Sequence, residues 1–352
     1  MARKQITIRE LARLSGVSIG TVSRALNGYP DVGPDTRERI LLLAEELDYT
    51  PTAAARTLVT QRSHVVGVFL ETGRNHPHIQ HPFFHEVLAG IKERLGAAGF
   101  DLLLFASEHP GNGFGPHSYL KRCRHHHVDG AILMGLTGDD VEVQRLGRSS
   151  LPCVSVDVEL EGEYTSWVSS DSSQGSRLAV RHLRDLGHKR IAHIAGPLET
   201  TPALERLRGF QRSMQSLGLS YFDELVAYGD YYYDSGREAM ERLLTLDEPP
   251  TAVFAASDMM AMGAMRAVQA AGLSVPDDVA VVGFDDIQVA AVAHPPLTTI
   301  RQEKAELGAL AAETLLRRME SGNGTEIETH LTLPVTLVAR QSTLGEQGLN
   351  GS

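Results

Sequence analysis

At 352 residues the chain is long for one ordinary domain, and its 42% hydrophobic and 22% charged residues are those of a water-soluble folded protein. No run of about 18 apolar residues is present, which excludes a membrane-spanning helix, and the polar, basic start is not followed by the apolar stretch of a secretory signal. The net charge of −11 is uneven: residues 1–62 hold nine Lys/Arg against seven Asp/Glu, leaving 24 of the 33 basic and 37 of the 44 acidic residues beyond them, as expected of a small module that meets a polyanion and a larger body that does not.

Thr7 and Glu10 have the spacing of a capping box, so a helix is predicted over about Ile8–Leu14, with Ile8, Leu11 and Ala12 on one face. Gly16 sits where a tight turn needs positive φ, and Ser18 can cap a second helix, about Ile19–Leu26, that stops at Asn27-Gly28. A third helix starts at Pro34 and runs through Ile40, Leu43, Ala44 and Leu47. Three short helices with a glycine turn between the first two are a helix-turn-helix, whose second helix reads a DNA major groove. Its outward side chains suit that role. Arg24 can offer two parallel donors to guanine, and Ile19 can pack on a thymine methyl. Ser18, Thr21 and Ser23 are short donors for phosphate oxygens, and Gly20 permits close approach. Thr7, Asn27 and Ala55 complete the DNA-facing set.

In "YTPTAAARTLVTQRS" (49–63) Pro51 breaks the preceding helix, and the small residues that follow have helix propensity in too short a run to be stable alone. A hinge that is coil when free and helix when docked on DNA is expected, with Leu58 as an apolar wedge in the minor groove.

From Val65 strands and helices alternate: "VVGVFLE", "FFHEVLAGIKERLGAAG", "FDLLLFAS", "VDGAILMG", "LPCVSVDV", "QGSRLAVRHLRDLG", "KRIAHIAG", "ERLRGFQRSMQSLG", "TAVFAASD", "MMAMGAMRAVQAAG" and "VAVVGFDD". This pattern predicts an α/β body of two doubly wound parallel-sheet lobes, with ligand bound at the carboxyl ends of the strands in the crevice between them. Glu71, Asp157, Ser257, Asp258 and Asp285 fall at strand ends; Arg206 is expected to open a helix and Tyr231 to follow another strand. Carboxylates and an arginine hold hydroxyl pairs, and an aromatic face packs on a sugar ring.

No phosphate-binding loop, dinucleotide fingerprint or nucleophile elbow is present, so an enzyme is not expected and no cofactor is assigned. The histidine clusters 76–85 and 125–127 read as a solvated loop, placed at the pocket mouth, and a helix end rather than metal sites. Cys123 and Cys153 are too few for a disulfide framework and are expected as reduced thiols in a cytoplasmic protein.

The motifs "TIRELARLSGVSIGTVSRALNG", "PDTRERILLLAEELDYTP", "AARTL", "HPFF", "RLRGF", "ASDMMAMGAMRA", "VVGFDD", "PPLTTIRQ" and "LPVTLVARQST" together resemble the lactose/galactose repressor (LacI/GalR) family over nearly the whole chain. The resemblance implies a homodimeric transcription regulator, usually a repressor, on a palindromic operator. Its core would be periplasmic-binding-protein-like and controlled by a small effector, most often a mono- or oligosaccharide. The alternatives are a nucleobase or nucleoside corepressor, a solute receptor or an enzyme. By matching positions the family's base-reading residues fall on Ile19, Gly20 and Arg24, and its wedge on Leu58. Its effector contacts fall on Glu71, Phe83, Phe84, Asp157, Arg206, Tyr231, Ser257 and Asp285. Ser257 stands where members commonly have Asn. The tail lacks the leucine heptad of a tetramer, which leaves a dimer.

The expected domains are a helix-turn-helix domain, 1–50; a hinge, 51–63; an effector-binding and dimerisation core, 64–345; and a polar tail, 346–352. Within the core, lobe 1 is expected over about 64–164 and 297–328, and lobe 2 over about 165–296 and 329–345.

Overall fold

Local capping chemistry shapes the start of the computed structural model, which describes residues 6–49, 62–70, 78–106, 118–320 and 328–344 and divides into two units, Met1–Ser63 and His64–Ser352. In the first unit α1 (Ile8–Ser15) begins with the expected capping box, Thr7 and Glu10 each satisfying the other's amide. Such a cap is worth about 1 kcal/mol. Gly16 closes the helix at φ 69°, a conformation glycine adopts without steric cost. Ser18 caps α2 (Ile19–Leu26), and α3 (Pro34–Glu46) starts at its proline. Leu11, Val22, Ala25, Val32, Ile40 and Ala44 form a small core between the three.

The second unit holds two six-stranded sheets. The first lobe takes β1 (Val65–Leu70), α4 (Pro82–Ala97), β2 (Asp101–Phe105), α5 (Tyr119–His125), β3 (Gly130–Met134), α6 (Val141–Gly147), β4 (Cys153–Val156) and β5 (Thr165–Ser170). The chain then crosses to the second lobe. This takes α7 (Ser172–Asp185), β6 (Ile191–Ala195), α8 (Thr201–Ser216), β7 (Val226–Tyr228), α9 (Tyr233–Leu244), β8 (Ala252–Ala255), α10 (Asp258–Ala270), β9 (Ala280–Asp285) and β10 (Thr298–Gln302). It crosses back for α11 (Lys304–Glu320) and β11 (His330–Leu333), and a third time for β12 (Val335–Val338) and α12 (Gln341–Leu344).

The first sheet runs β11-β5-β4-β3-β1-β2, all parallel; the second runs β12-β10-β9-β8-β6-β7, parallel except for β10 with β12. Parallel strands covered on both faces read as continuous apolar runs, and β1 shows why. Its Val66, Val68 and Leu70 face α4 and α11, while Phe69 points the other way onto Phe105 and Tyr119.

The lobe exchange points differ from the sequence expectation. Strand β5, expected in lobe 2, pairs with β4 in the first sheet (Ser155 opposite Trp167). Strand β10, expected in lobe 1, pairs with β9 in the second, and β11, expected in lobe 2, joins β5. Period-2 patterning marks a strand but not its partner, and the hydrogen-bonded ladder decides which sheet owns it. The three crossings are laced together. The Asp171 amide donates to the Leu333 carbonyl (2.9 Å), and Gln302 lies opposite Val335.

Candidate functional site

In the first unit, α2 turns Val22 and Ala25 inward, which leaves Ser18, Ile19, Gly20 and Arg24 exposed. The Ser18 hydroxyl accepts from the Thr21 amide (3.1 Å) and shares a hydrogen bond with the Thr21 hydroxyl (2.9 Å), so the two short donors are already oriented together. Asn27 donates back to the Ser23 carbonyl (2.7 Å), which locks the end of the helix. Arg24 ion-pairs with Asp31 (2.7 Å) across the turn after α2, a partner that sequence reading did not supply. Thr7 is occupied by its cap. Ala55 and Leu58 lie outside the described residues.

In the second unit a cleft of about 730 Å³, including its open mouth, lies between the lobes at the carboxyl ends of the strands. Lobe 1 lines it with His81, Phe83 and Phe84 at the start of α4, Gly135–Thr137 after β3, and Val156–Val158 at the end of β4. Lobe 2 adds Thr200, Pro202, Arg206, Tyr231, Tyr232, Asp285 and Gln302. Six of the expected residues therefore meet here: Phe83, Phe84, Asp157, Arg206, Tyr231 and Asp285. Glu71 falls outside the described residues.

Ser257 does not line the cleft. It is buried as the N-cap of α10, where its hydroxyl accepts from the Met260 amide (3.1 Å) and donates to the Tyr231 carbonyl (2.8 Å). A serine at a strand end serves the next helix as readily as a ligand. Asp258 is likewise fully buried, taking bonds from the Thr299 hydroxyl (2.5 Å) and the Ile287 amide (2.8 Å). Arg206 lies inside α8 rather than opening it.

Arg206 is the electrostatic centre. It is 4% exposed, with its guanidinium carbon 3.7 Å from the centroid of the Phe284 ring and Nη1 donating to the Ala256 carbonyl (2.7 Å). Burial pushes the Asp157 carboxyl up to about 7 and that of Asp285 up to about 6, with Arg206 pulling both back. Burial likewise raises Tyr231 to about 12, so its hydroxyl stays protonated and is shared with Thr200 Oγ1 (2.9 Å). His81 caps α4 through Nδ1 (3.3 Å from the Phe83 nitrogen) and meets Tyr232 edge-on at 5.4 Å; burial holds it near 4, hence neutral. The neutral imidazole crosses the cleft without bringing another charge.

Two features escape sequence reading. Asp157 (φ 63°), Tyr231 (φ 73°) and Asp285 (φ 121°) all take left-handed backbone conformations, which cost non-glycine residues of order 1–3 kcal/mol and concentrate at functional sites. Three buried polar atoms of lining residues, His81 Nε2, Arg206 Nε and Gln302 Oε1, also lack a hydrogen-bond partner among the described residues. Two donors and one acceptor thus stand ready for something that offers both. Gln302 ends a strand within "PPLTTIRQ", yet only the crossing that follows it brings that end to the cleft. His81 belongs to the histidine cluster placed at the pocket mouth and Tyr232 adjoins Tyr231, whereas nothing in the sequence marked Thr200.

Among the described residues no helix is long and apolar enough to cross a membrane, and no cluster of His, Cys, Asp and Glu could hold a metal ion.

Residues 7–52 match the family described as bacterial regulatory proteins, lacI family, and residues 180–343 a periplasmic binding protein-like domain. The HTH-type transcriptional regulator CelR of Thermobifida fusca is 39% identical over 340 residues, covering 94% of this chain and 97% of that one. The solved structure of a CelR–cellobiose complex superposes with a TM-score of 0.72 at 36% identity, over 96% of this chain and 100% of that one. The lac repressor dimer bound to operator and the anti-inducer ONPF gives 0.83 at 30% identity, over 97% and 99%.

Proposed function

Because the chain belongs to the LacI family of DNA-binding transcriptional regulators, and its relatives are regulators rather than enzymes, we propose that it is a cytoplasmic repressor that binds a palindromic operator as a homodimer and is controlled by a neutral saccharide in the cleft. The lac repressor dimer on its operator and the cellobiose complex of CelR support this reading by likeness.

The observation that carries the ligand class is one buried cation, Arg206, in a cleft with two carboxyls whose pKa burial raises, between aromatic walls. A cleft with one cation and two carboxyls has no excess positive charge for an anion. It has acceptors for hydroxyl donors, two donors and an acceptor without partners, and Phe84 and Tyr231 for the apolar face of a sugar. Phe83, Asp157 and Asp285 complete the proposed contacts.

On the DNA side Ile19, Gly20 and Arg24 would meet bases, and Ser18, Thr21 and Ser23 phosphates, with Thr7 and Asn27 flanking them. Ala55 and Leu58 would act from the hinge. Asp31 holds Arg24 in place when DNA is absent. Arg24→Ala is expected to cost about 1–3 kcal/mol and to relax one operator position, read by competition among single-base operator variants. Leu58→Ala is expected to weaken operator binding and leave ligand binding intact.

Selection of the purified protein against random-sequence duplexes, repeated with cellobiose, ribose and hypoxanthine, tests the whole reading. A palindrome that is enriched and then released by one sugar establishes it. Enrichment that responds only to hypoxanthine replaces the saccharide with a nucleobase, and no enrichment removes the DNA-binding role from residues 7–52.

A further inference from the structure

Where β9 ends, the chain turns through two consecutive left-handed aspartates, Asp285 (φ 121°) and Asp286 (φ 54°). An aspartate rarely holds that conformation unless its surroundings enforce it. The side chains of this corner are secured from within lobe 2. Gln302 Nε2 donates to Asp285 Oδ1 (2.7 Å), and Arg301 and Arg340 hold the Asp286 carboxylate at 2.7 and 2.6 Å. The backbone is secured from elsewhere. Lys304, the first residue of α11 and 4% exposed, points its ammonium into the corner, with Nζ 2.7 Å from the Asp285 carbonyl and 3.0 Å from the Asp286 carbonyl. It also lies 3.5 Å from Glu86 Oε1 on α4. An ammonium has three donors, and three acceptors surround this one.

Lys304 and Glu86 belong to helices that cannot shift independently. Helices α4 and α11 cross so closely that a Cβ on Gly90 would lie 1.9 Å from the Ala305 carbonyl oxygen, and one on Gly308 would lie 1.9 Å from that of Val87. The same α4 begins with Phe83 and Phe84 in the cleft wall. The corner bearing the lobe 2 carboxylate is therefore fastened through one side chain to the lobe 1 helix that carries the aromatic wall.

We propose that Lys304 is a positioning residue of the cleft: its ammonium holds Asp285 in the left-handed, cleft-facing conformation and ties that corner to helix α4 of the opposite lobe. Through it, lobe movement reaches Asp285, and ligand on Asp285 reaches lobe 1. The inference rests on the cleft being a ligand site, as proposed above.

The test compares Lys304→Met and Glu86→Gln in the full-length protein, first by amide hydrogen exchange without ligand. Lys304→Met removes the charge that holds both carbonyls, so the amides of Asp286 and Ile287 should exchange at least tenfold faster while those of β6 and β8 stay unchanged. Glu86→Gln leaves the carbonyls held, so Asp286 and Ile287 should keep their wild-type rates. In both variants the amides of residues 84–88 should exchange faster, because α4 loses its tie.

Cellobiose titration follows. Lys304→Met should weaken binding at least tenfold and Glu86→Gln less than twofold, a split that loss of packing alone would not produce. Wild-type rates at Asp286 and Ile287 in Lys304→Met, or equal acceleration throughout lobe 2, overturn the positioning role, as do equal losses of affinity in the two variants. Wild-type rates at residues 84–88 in either variant overturn the tie to α4. If wild-type protein binds no cellobiose, the saccharide reading loses its leading candidate, and the ligand-free exchange rates still decide the role of Lys304.

Discussion

The two lobes bring different chemistry to one cleft. Lobe 2 supplies most of the buried polar machinery: Arg206 over Phe284, Asp285 held by Gln302, and Tyr231 sharing its hydroxyl with Thr200. Lobe 1 supplies mostly surface, with Phe83, Phe84, Leu136, Val156 and Val158 around the single carboxylate of Asp157. A polar constellation is costly to rearrange in a desolvated site, whereas an apolar wall can close on a ligand without breaking hydrogen bonds. On the proposed reading, lobe 2 orients the ligand and lobe 1 closes over it.

The strongest challenge to this division is Arg206→Met. Removing the buried cation whose charge favours the ionised form of both carboxyls should abolish ligand binding and lower stability, read by titration and thermal unfolding. Retained affinity would mean that the polar side does not organise the site. Asp285→Asn keeps the shape and removes the charge, with an expected loss of about 2 kcal/mol in ligand affinity. Phe84→Ala, on the closing wall, should cost about 1 kcal/mol. The reverse order for these two would exchange the roles of the lobes.

A smaller effect sharpens the same comparison. Hydroxyl donors favour ionised carboxylates, while in the free protein Asp157 titrates near 7 and Asp285 near 6. Binding should therefore release protons. Affinity should rise with pH from about 5 to 7 and level off above, as checked by calorimetry in buffers of different ionisation enthalpy; pH-independent binding would show that the ligand does not donate to these carboxylates.

The least perturbing test uses the single tryptophan. Trp167 stacks on His330 at 3.4 Å, beside the lobe crossings, and burial lowers the imidazole below its usual range. Emission should rise as the quenching imidazolium loses its proton below pH 6.5, and His330→Gln should flatten the curve.

The helix-turn-helix was legible because its signals are local: Thr7 with Glu10, the turn at Gly16 and the cap at Ser18 all act within a few residues. The Arg24–Asp31 pair spans a turn whose course the sequence does not state. In the cleft, Asp157, Tyr231 and Asp285 could be found because strand ends in parallel sheets converge, whereas Arg206 sits inside α8 and was placed by the family resemblance. Ser257 occupies the same kind of position and differs only in that the next helix uses its hydroxyl. Gln302 and Lys304 depended on knowing where the chain changes lobes, a matter of strand pairing that periodicity does not encode.

Those crossings carry a mechanical consequence. Three separate passages of chain, bonded edge to edge through Asp171 with Leu333 and Gln302 with Val335, behave as a piano hinge. One such passage would let the lobes swivel, and two would let them shear. A laced band of three bends about its own line and resists the other motions, so the state of the cleft reduces to one angle. Displacement then grows in proportion to distance from that line, and a small closure around a ligand is magnified at the outer ends of the lobes.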